Sequence, residues 1–204
     1  MLFRSEKADL ATDKILVDGK PLNACMEKIY VMLNKPRGYV TTMSDEKGRK
    51  NVSMLVADAG TRLYPVGRLD LNSEGLLIMT NDGDFANRLM HPSHNVLKTY
   101  SVKVTGDSIP AAVEMLRGPV DIDGAALRAK EVELKELDGT GAILQITIGE
   151  GKNREVRKMC AFAGLKVLEL RRIKEGSLEL GELKCGHWRF LTTEEIDSFL
   201  GEDE

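Results

Sequence analysis

The sequence predicts an α+β domain: a largely antiparallel mixed sheet with short flanking helices. Three observations carry the expectation. Apolar runs and stretches of period two recur at strand length along the chain. The helical stretches between them are short and bounded by caps and breakers. Strands and helices also mix without a regular βαβ rhythm or an internal repeat, which argues against a doubly wound parallel sheet.

Residues 1–27 are polar apart from Lys14-Ile15-Leu16-Val17, which Asp18-Gly19 closes. That run reads as a lone strand with no partner nearby, so 1–27 is expected to be a linker or remnant and 28–204 the folded domain. Ile29 to Leu33 is a buried strand feeding the breaker-rich turn Asn34-Lys35-Pro36-Arg37-Gly38. Residues 44–51 read as a polar, mobile loop, and Val52 to Ala57 as a short helix ending before Gly60. From Tyr64 to Gly75 the chain reads as a tight loop. Gly67 and Gly75 permit positive φ and close backbone approach there, and Asp70 is held at the mouth of the strand Leu76 to Thr80. Asn81 to Asp84 makes a turn and cap for a helix through Phe85, Leu89 and Met90 that stops before Pro92. Leu97 to Thr105 is a strand with Tyr100, Val102 and Val104 on one face.

Ser108 opens a helix reaching Gly118, and Asp138-Gly139 joins strands around Val132–Leu134 and Ala142–Ile148. A helix from Arg154 to Ala163 turns Val156, Met159, Cys160 and Ala163 inward. At 100° per residue this puts Arg154 and Lys158 on the solvent side and Arg157 on the border of the apolar stripe. Val167–Ile173 and Trp188–Leu191 are the last strands, and Thr192 with Glu195 forms a capping box for a helix from Ile196 to Leu200.

Composition narrows the function. No apolar run is long enough to span a membrane and no signal-peptide pattern is present. Cys25, Cys160 and Cys185 fit neither a metal spacing nor a disulfide framework, which points to a reducing, cytoplasmic setting. His91, His94 and His187 form no zinc motif, so no metal is expected and these histidines read as structural or surface residues. The net charge of −3 is unevenly spread. Residues 151–172 and 28–50 are basic, while acids collect from Glu194 to Glu204. Basic patches suit a polyanion; the plainer reading is solvated faces. Taken singly, Asp70 reads as a turn residue bonding its own backbone. Arg157 reads as a snorkelling side chain, and Tyr100 as a core aromatic.

Taken together they read differently. Gly67-Arg68-Leu69-Asp70, then Ser73-Glu74-Gly75-Leu76-Leu77, then Thr80-Asn81-Asp82-Gly83, resemble the signature of pseudouridine synthases of the RsuA/RluB/RluE/RluF type. Glu150 to Met159 resembles that family's later motif, and the likeness runs in order over residues 28–200. The resemblance implies a pseudouridine-synthase catalytic fold with a central cleft. It also implies breakage of the uridine N1–C1′ bond and rejoining through C5, with no cofactor. It assigns Asp70 as the catalytic carboxylate, Tyr100 as the residue stacking on the target base, and Arg157 as the aspartate's basic partner. It assigns Arg68 to the space left by the extruded base.

Physical chemistry supports these roles. A carboxylate can act as nucleophile or charge stabiliser without a metal. A neighbouring arginine favours its ionised form where water is excluded. Flipping a base costs a few kcal/mol, and aromatic stacking returns roughly 1–3 kcal/mol. Lys35, Lys152, Arg154 and Lys158 are then expected to hold RNA phosphates. Family members often carry a preceding RNA-binding domain, of which only Asp13 to Leu22 has a counterpart, the joining segment. The expected partner is ribosomal RNA, large-subunit before small-subunit, with no small-molecule cofactor, no membrane and a monomeric enzyme. The competing reading is a non-catalytic RNA-binding or ribosome-assembly module. Intact Arg68, Asp70, Tyr100 and Arg157 weigh against it, because a pure binder has no use for a carboxylate facing a phosphate backbone.

Overall fold

The computed structural model describes residues 16–17, 20–21, 27–122 and 124–201. Strand β1 (Leu16–Val17) pairs antiparallel with β2 (Lys20–Pro21), Leu16 opposite Pro21. The run read as a lone strand therefore has a partner three residues on, across the predicted Asp18-Gly19 turn. Lys14, Ile15, Cys25 and most of the expected linker lie outside the described residues, as do the last three acids of the tail.

The remaining strands are β3 (Tyr30–Lys35), β4 (Tyr64–Val66), β5 (Glu74–Thr80), β6 (Lys98–Thr105), β7 (Val120–Ile122), β8 (Ala125–Leu127), β9 (Glu131–Asp138), β10 (Gly141–Ile148), β11 (Lys166–Glu175), β12 (Leu178–Glu179) and β13 (Trp188–Phe190). The helices are α1 (Gly83–Met90), α2 (Ile109–Arg117), α3 (Glu155–Phe162) and α4 (Thr193–Leu200). The main sheet runs β13-β3-β5-β11-β6-β10-β9, with β12 on β11 and β4 on β5. Its pairings are antiparallel except where β11 meets the start of β5, Arg171 opposite Glu74 and Arg172 opposite Gly75. That edge of β5 is shared, since β4 takes its far end, Val66 opposite Ile78. The loop from β4 to β5 lies at the resulting fork.

Both faces of the central strands are covered, so they read as unbroken apolar runs rather than alternating ones. Leu77 and Met79 of β5 join a core with Val102 and Leu144 that α2 and α3 close through Ile109, Leu116, Val156, Met159 and Cys160. Leu76 and Ile78 face the other way, onto Phe85 and Leu89 of α1 and Phe199 of α4. Burial on this scale contributes roughly 1.5–3 kcal/mol per large apolar side chain. Helix ends follow their caps. Asp82 accepts the Asp84 and Phe85 amides and, through Oδ2, the Tyr30 hydroxyl at 2.8 Å and the Lys28 ammonium at 2.9 Å. Thr192 and Glu195 form the expected capping box, whereas Ser108 precedes α2 without a side-chain cap bond. The helix expected from Val52 is a single 3₁₀ turn, Val52–Leu55, capped by Asn51. No described helix is long and apolar enough to cross a membrane.

Candidate active site

The loop carrying Asp70 is held by its own backbone. Leu69 exchanges two hydrogen bonds with Thr41, its carbonyl accepting from Oγ1 at 2.7 Å and its amide donating back at 3.2 Å. The Leu71 carbonyl accepts from the Gly38 amide at 2.8 Å, and Asn72 accepts from Arg157 Nη2 at 2.8 Å. The Asp70 and Ser73 carbonyls both accept from Lys35 Nζ, at 3.2 and 2.8 Å. Every carbonyl from 69 to 73 is thus satisfied, which fixes the direction in which the Asp70 side chain leaves the loop.

Lys35 corrects an expectation. Placed by sequence among the phosphate-binding residues, it is fully buried at 0% exposure, its third N–H donating to the Pro36 carbonyl at 3.1 Å. Three donors meet three carbonyl oxygens in a fixed cage that no phosphate reaches. Burial lowers its pKa from 10.5 to about 8, with Asp70 and Glu74 opposing the shift. The strand expected to end at Leu33 runs on to Lys35 and carries this ammonium into the interior.

At Gly75 the close backbone approach is that of a neighbouring strand. A Cβ there would stand 2.2 Å from the Arg172 carbonyl oxygen, and φ is +103°. The backbone that needs the room is that of β11, packed as a neighbouring strand. Gly67, at φ +74°, has open space around it and is required by its conformation alone.

Asp70 faces a cleft of about 250 Å³ lined by Arg68, Ser73, Tyr100, Ile148, Val156 and Leu170 and by residues 151–155. Its carboxylate is only partly buried, at 35% exposure, and lies 3.5 Å from Arg154 Nη1. Arg154, not Arg157, is therefore the residue in contact with Asp70 in this structure. Arg154 is not on the helix face where the 100° projection placed it. It is the N-cap of α3, at φ 53°, and its side chain turns back across the cleft mouth. Arg157 is half-buried one turn along. Its Nη2 holds the Asn72 carbonyl and its Nε is buried without a partner; burial and then Arg154 lower its pKa, with the Asp70 charge opposing the shift. Both arginines thus bear on the Asp70 loop, one through the carboxylate and one through the backbone.

Tyr100 is 8% exposed and lines the cleft together with the apolar Ile148 and Leu170. Burial pushes its hydroxyl pKa above 10. Arg68 and Lys152 line the mouth and are exposed, Lys152 pairing with Glu150 at 2.7 Å. Lys158 lies on α3, half-buried rather than on the solvent side. The site is thus a slot with an apolar wall, the Asp70 carboxylate at its mouth, the buried Glu155 and a cationic rim. It suits a flat uncharged ring carried on an anionic backbone. Among the described residues no cluster of His, Cys, Asp or Glu could hold a metal ion.

This fold and cleft are those of an RNA-modifying enzyme. A protein-family model for RNA pseudouridylate synthase matches residues 29–162, and the chain belongs to that family. It is 38% identical to ribosomal large subunit pseudouridine synthase B of Bacillus subtilis over 187 residues, which are 91% of this chain and 76% of that one. It is 36% identical to an RNA pseudouridine synthase of Aquifex aeolicus, over 93% of this chain and 76% of that one. A crystal structure of a pseudouridylate synthase superposes with a TM-score of 0.72 at 31% identity, covering 88% of this chain and 76% of the other. The enzyme is an RNA pseudouridine synthase.

Proposed function

We propose that this enzyme isomerises a uridine of large-subunit ribosomal RNA, working in the cytoplasm as a monomer. The observation that carries the reading is Asp70, a carboxylate held by a fully bonded loop at the mouth of a slot with an apolar wall and a rim of Arg68, Lys152 and Arg154. The likeness to synthases named for the large ribosomal subunit supports that substrate.

In this reading the uridine leaves its stack and enters the slot, flat against Tyr100 and between Ile148 and Leu170. Arg68 fills the gap it leaves. Asp70 assists cleavage of the N1–C1′ bond, the base turns, and C5 bonds to C1′. C5 gives up its proton and N1 gains one, so no oxidant or cofactor is needed. Arg154 pairs with the Asp70 carboxylate and Arg157 holds its loop, so the carboxylate has a partner once RNA closes the cleft and excludes water, where an unpaired carboxylate is costly. Lys152, Arg154 and Lys158 hold phosphates and contribute affinity with little sequence choice.

The test is Asp70→Asn. Pseudouridine formation on rRNA transcripts should be lost, with melting temperature and RNA affinity nearly unchanged; a variant that isomerises at the parent rate removes Asp70 from the chemistry. Mapping pseudouridines in rRNA from cells lacking the gene identifies the target, and an unchanged large-subunit map rules that substrate out.

A further inference from the structure

Beneath the slot lies a group of buried charges to which the isomerisation gives no role. Arg172 and Glu175 on β11 are 1% and 2% exposed. Arg172 is the strand partner of Tyr100 across the β11–β6 pairing and of Gly75 across the β11–β5 pairing. Cross-strand partners project from the same face, so its side chain lies beside the Tyr100 ring. Its Nε donates to the Leu76 carbonyl at 2.7 Å. Its Nη2 stands 3.2 Å from Glu175 Oε2, angled so that an ion pair but no directed hydrogen bond forms. Glu175 is opposite Lys98, whose Nζ is 3.9 Å from Oε1 and donates to the Val96 carbonyl at 2.9 Å. From α3, Glu155 closes the group, buried and accepting the Lys152 amide at 2.7 Å.

A buried ion pair contributes little net stability, because desolvation offsets most of its attraction; apolar side chains of the same volume often do as well. Stability is therefore a poor account of Arg172 and Glu175. Their place supplies a better one, since Arg172 stands between β5, into which the Asp70 loop leads, and β6, which carries Tyr100.

We propose that Arg172 and Glu175 are positioning residues for the isomerisation, a buried pair that fixes the hydroxyl end of Tyr100 so that its ring stays set against the target base. The proposal rests on Tyr100 being the residue that meets the base. Burial is the largest influence on the hydroxyl and opposes its ionisation, as Glu175 and Glu155 do, while Arg172 favours the ionised form. Removing Glu175's charge leaves Arg172 uncompensated, so the phenol should ionise more easily.

The experiment uses the full chain with an rRNA fragment, reads kcat and KM, and follows Tyr100 by ¹³C NMR of labelled tyrosines assigned with Tyr100→Phe. Glu175→Gln should lower kcat at least about tenfold with KM within about twofold, and move the Tyr100 titration down by about one pH unit. Arg172→Lys keeps the charge but loses the planar fork, so kcat should fall at least about tenfold while the titration stays nearly in place. In the parent chain a through-space NMR contact between the Tyr100 ring and the Arg172 Nε–H is expected. Its absence overturns the proposal however the variants fold. If both variants turn over within about twofold of the parent while Tyr100→Ala loses turnover, the positioning role is wrong and the site stands. A kcat loss in Glu175→Gln with an unmoved Tyr100 titration makes the pair a fold element and also overturns the role. Parent-rate turnover by Tyr100→Ala removes the site reading itself.

Discussion

Replacing Lys35 by methionine separates two accounts of that residue. The ammonium donates to three carbonyls, of which Ser73's is in fully buried surroundings and those of Pro36 and Asp70 are partly open to water. Leaving one buried acceptor unsatisfied costs about 1–3 kcal/mol, and each of the two more accessible bonds is worth about 0.5–1.5 kcal/mol. Methionine fills most of the volume and returns about 1 kcal/mol of apolar burial. The net destabilisation is roughly 1–5 kcal/mol, which for a chain of this size lowers Tm by roughly 2–20 °C. The Asp70 loop loses two of its anchors, and a displacement near 1 Å at a reacting group costs about 10²-fold in rate. Lys35→Met should therefore melt earlier and turn over about 10²-fold more slowly, with RNA affinity and its salt dependence unchanged. A phosphate-binding lysine behaves in the opposite way: Tm holds, and the slope of log affinity against log salt shrinks by about 0.7–0.9. Differential scanning calorimetry with salt-titrated RNA binding distinguishes the two, and an unchanged Tm with a shallower slope would refute the buried clamp.

Between pH 8 and 10 the folded chain loses the Lys35 proton while the unfolded chain keeps it. The unfolded state then binds more protons, so this group adds stability as pH rises, even as the third donor to the loop disappears. Turnover should fall through an apparent pKa of about 8 without a matching fall in Tm from this group; a pH–rate profile flat from 7 to 9.5 contradicts this. Gly75→Ala drives a methyl group into the Arg172 backbone at positive φ, so the variant should lose about 3 kcal/mol or more and fail to accumulate as folded protein. Arg154→Gly relaxes a left-handed residue and should raise stability by up to about 1 kcal/mol while weakening RNA binding, measured by melting and by filter binding. A variant that binds RNA as tightly as the parent would remove Arg154 from the phosphate contacts.

The parts legible in the sequence are those whose local signals agree with their surroundings. The period-two strand ending at Thr105, the helix capped by Asp82 and the capping box at Thr192 stand where the pattern put them. Strand β4 is only three residues long, contains Pro65 and pairs along one edge, so it has no periodicity to read. The β7–β8 hairpin is hidden for the same reason of length. At the site, Asp70 and Tyr100 come together as the family-ordered spacing anticipated. Lys35 and Arg172 were illegible because a charged residue in a strand reads as exposed, and only the cage around each reverses that. One signal was available for Lys35: it continues a strand buried on both faces. Arg154 was misplaced because a helical projection was applied to a residue just outside the helix.

Strand β11 lies between β5 and β6, though it follows both in the chain by some sixty residues or more. Until it inserts, β5, into which the Asp70 loop leads, and β6, which carries Tyr100, have no common neighbour, and Arg172 cannot stand between them. Pairings this distant in sequence form late and slowly. A nascent chain therefore has no catalytic cleft until residue 175 has cleared the ribosome.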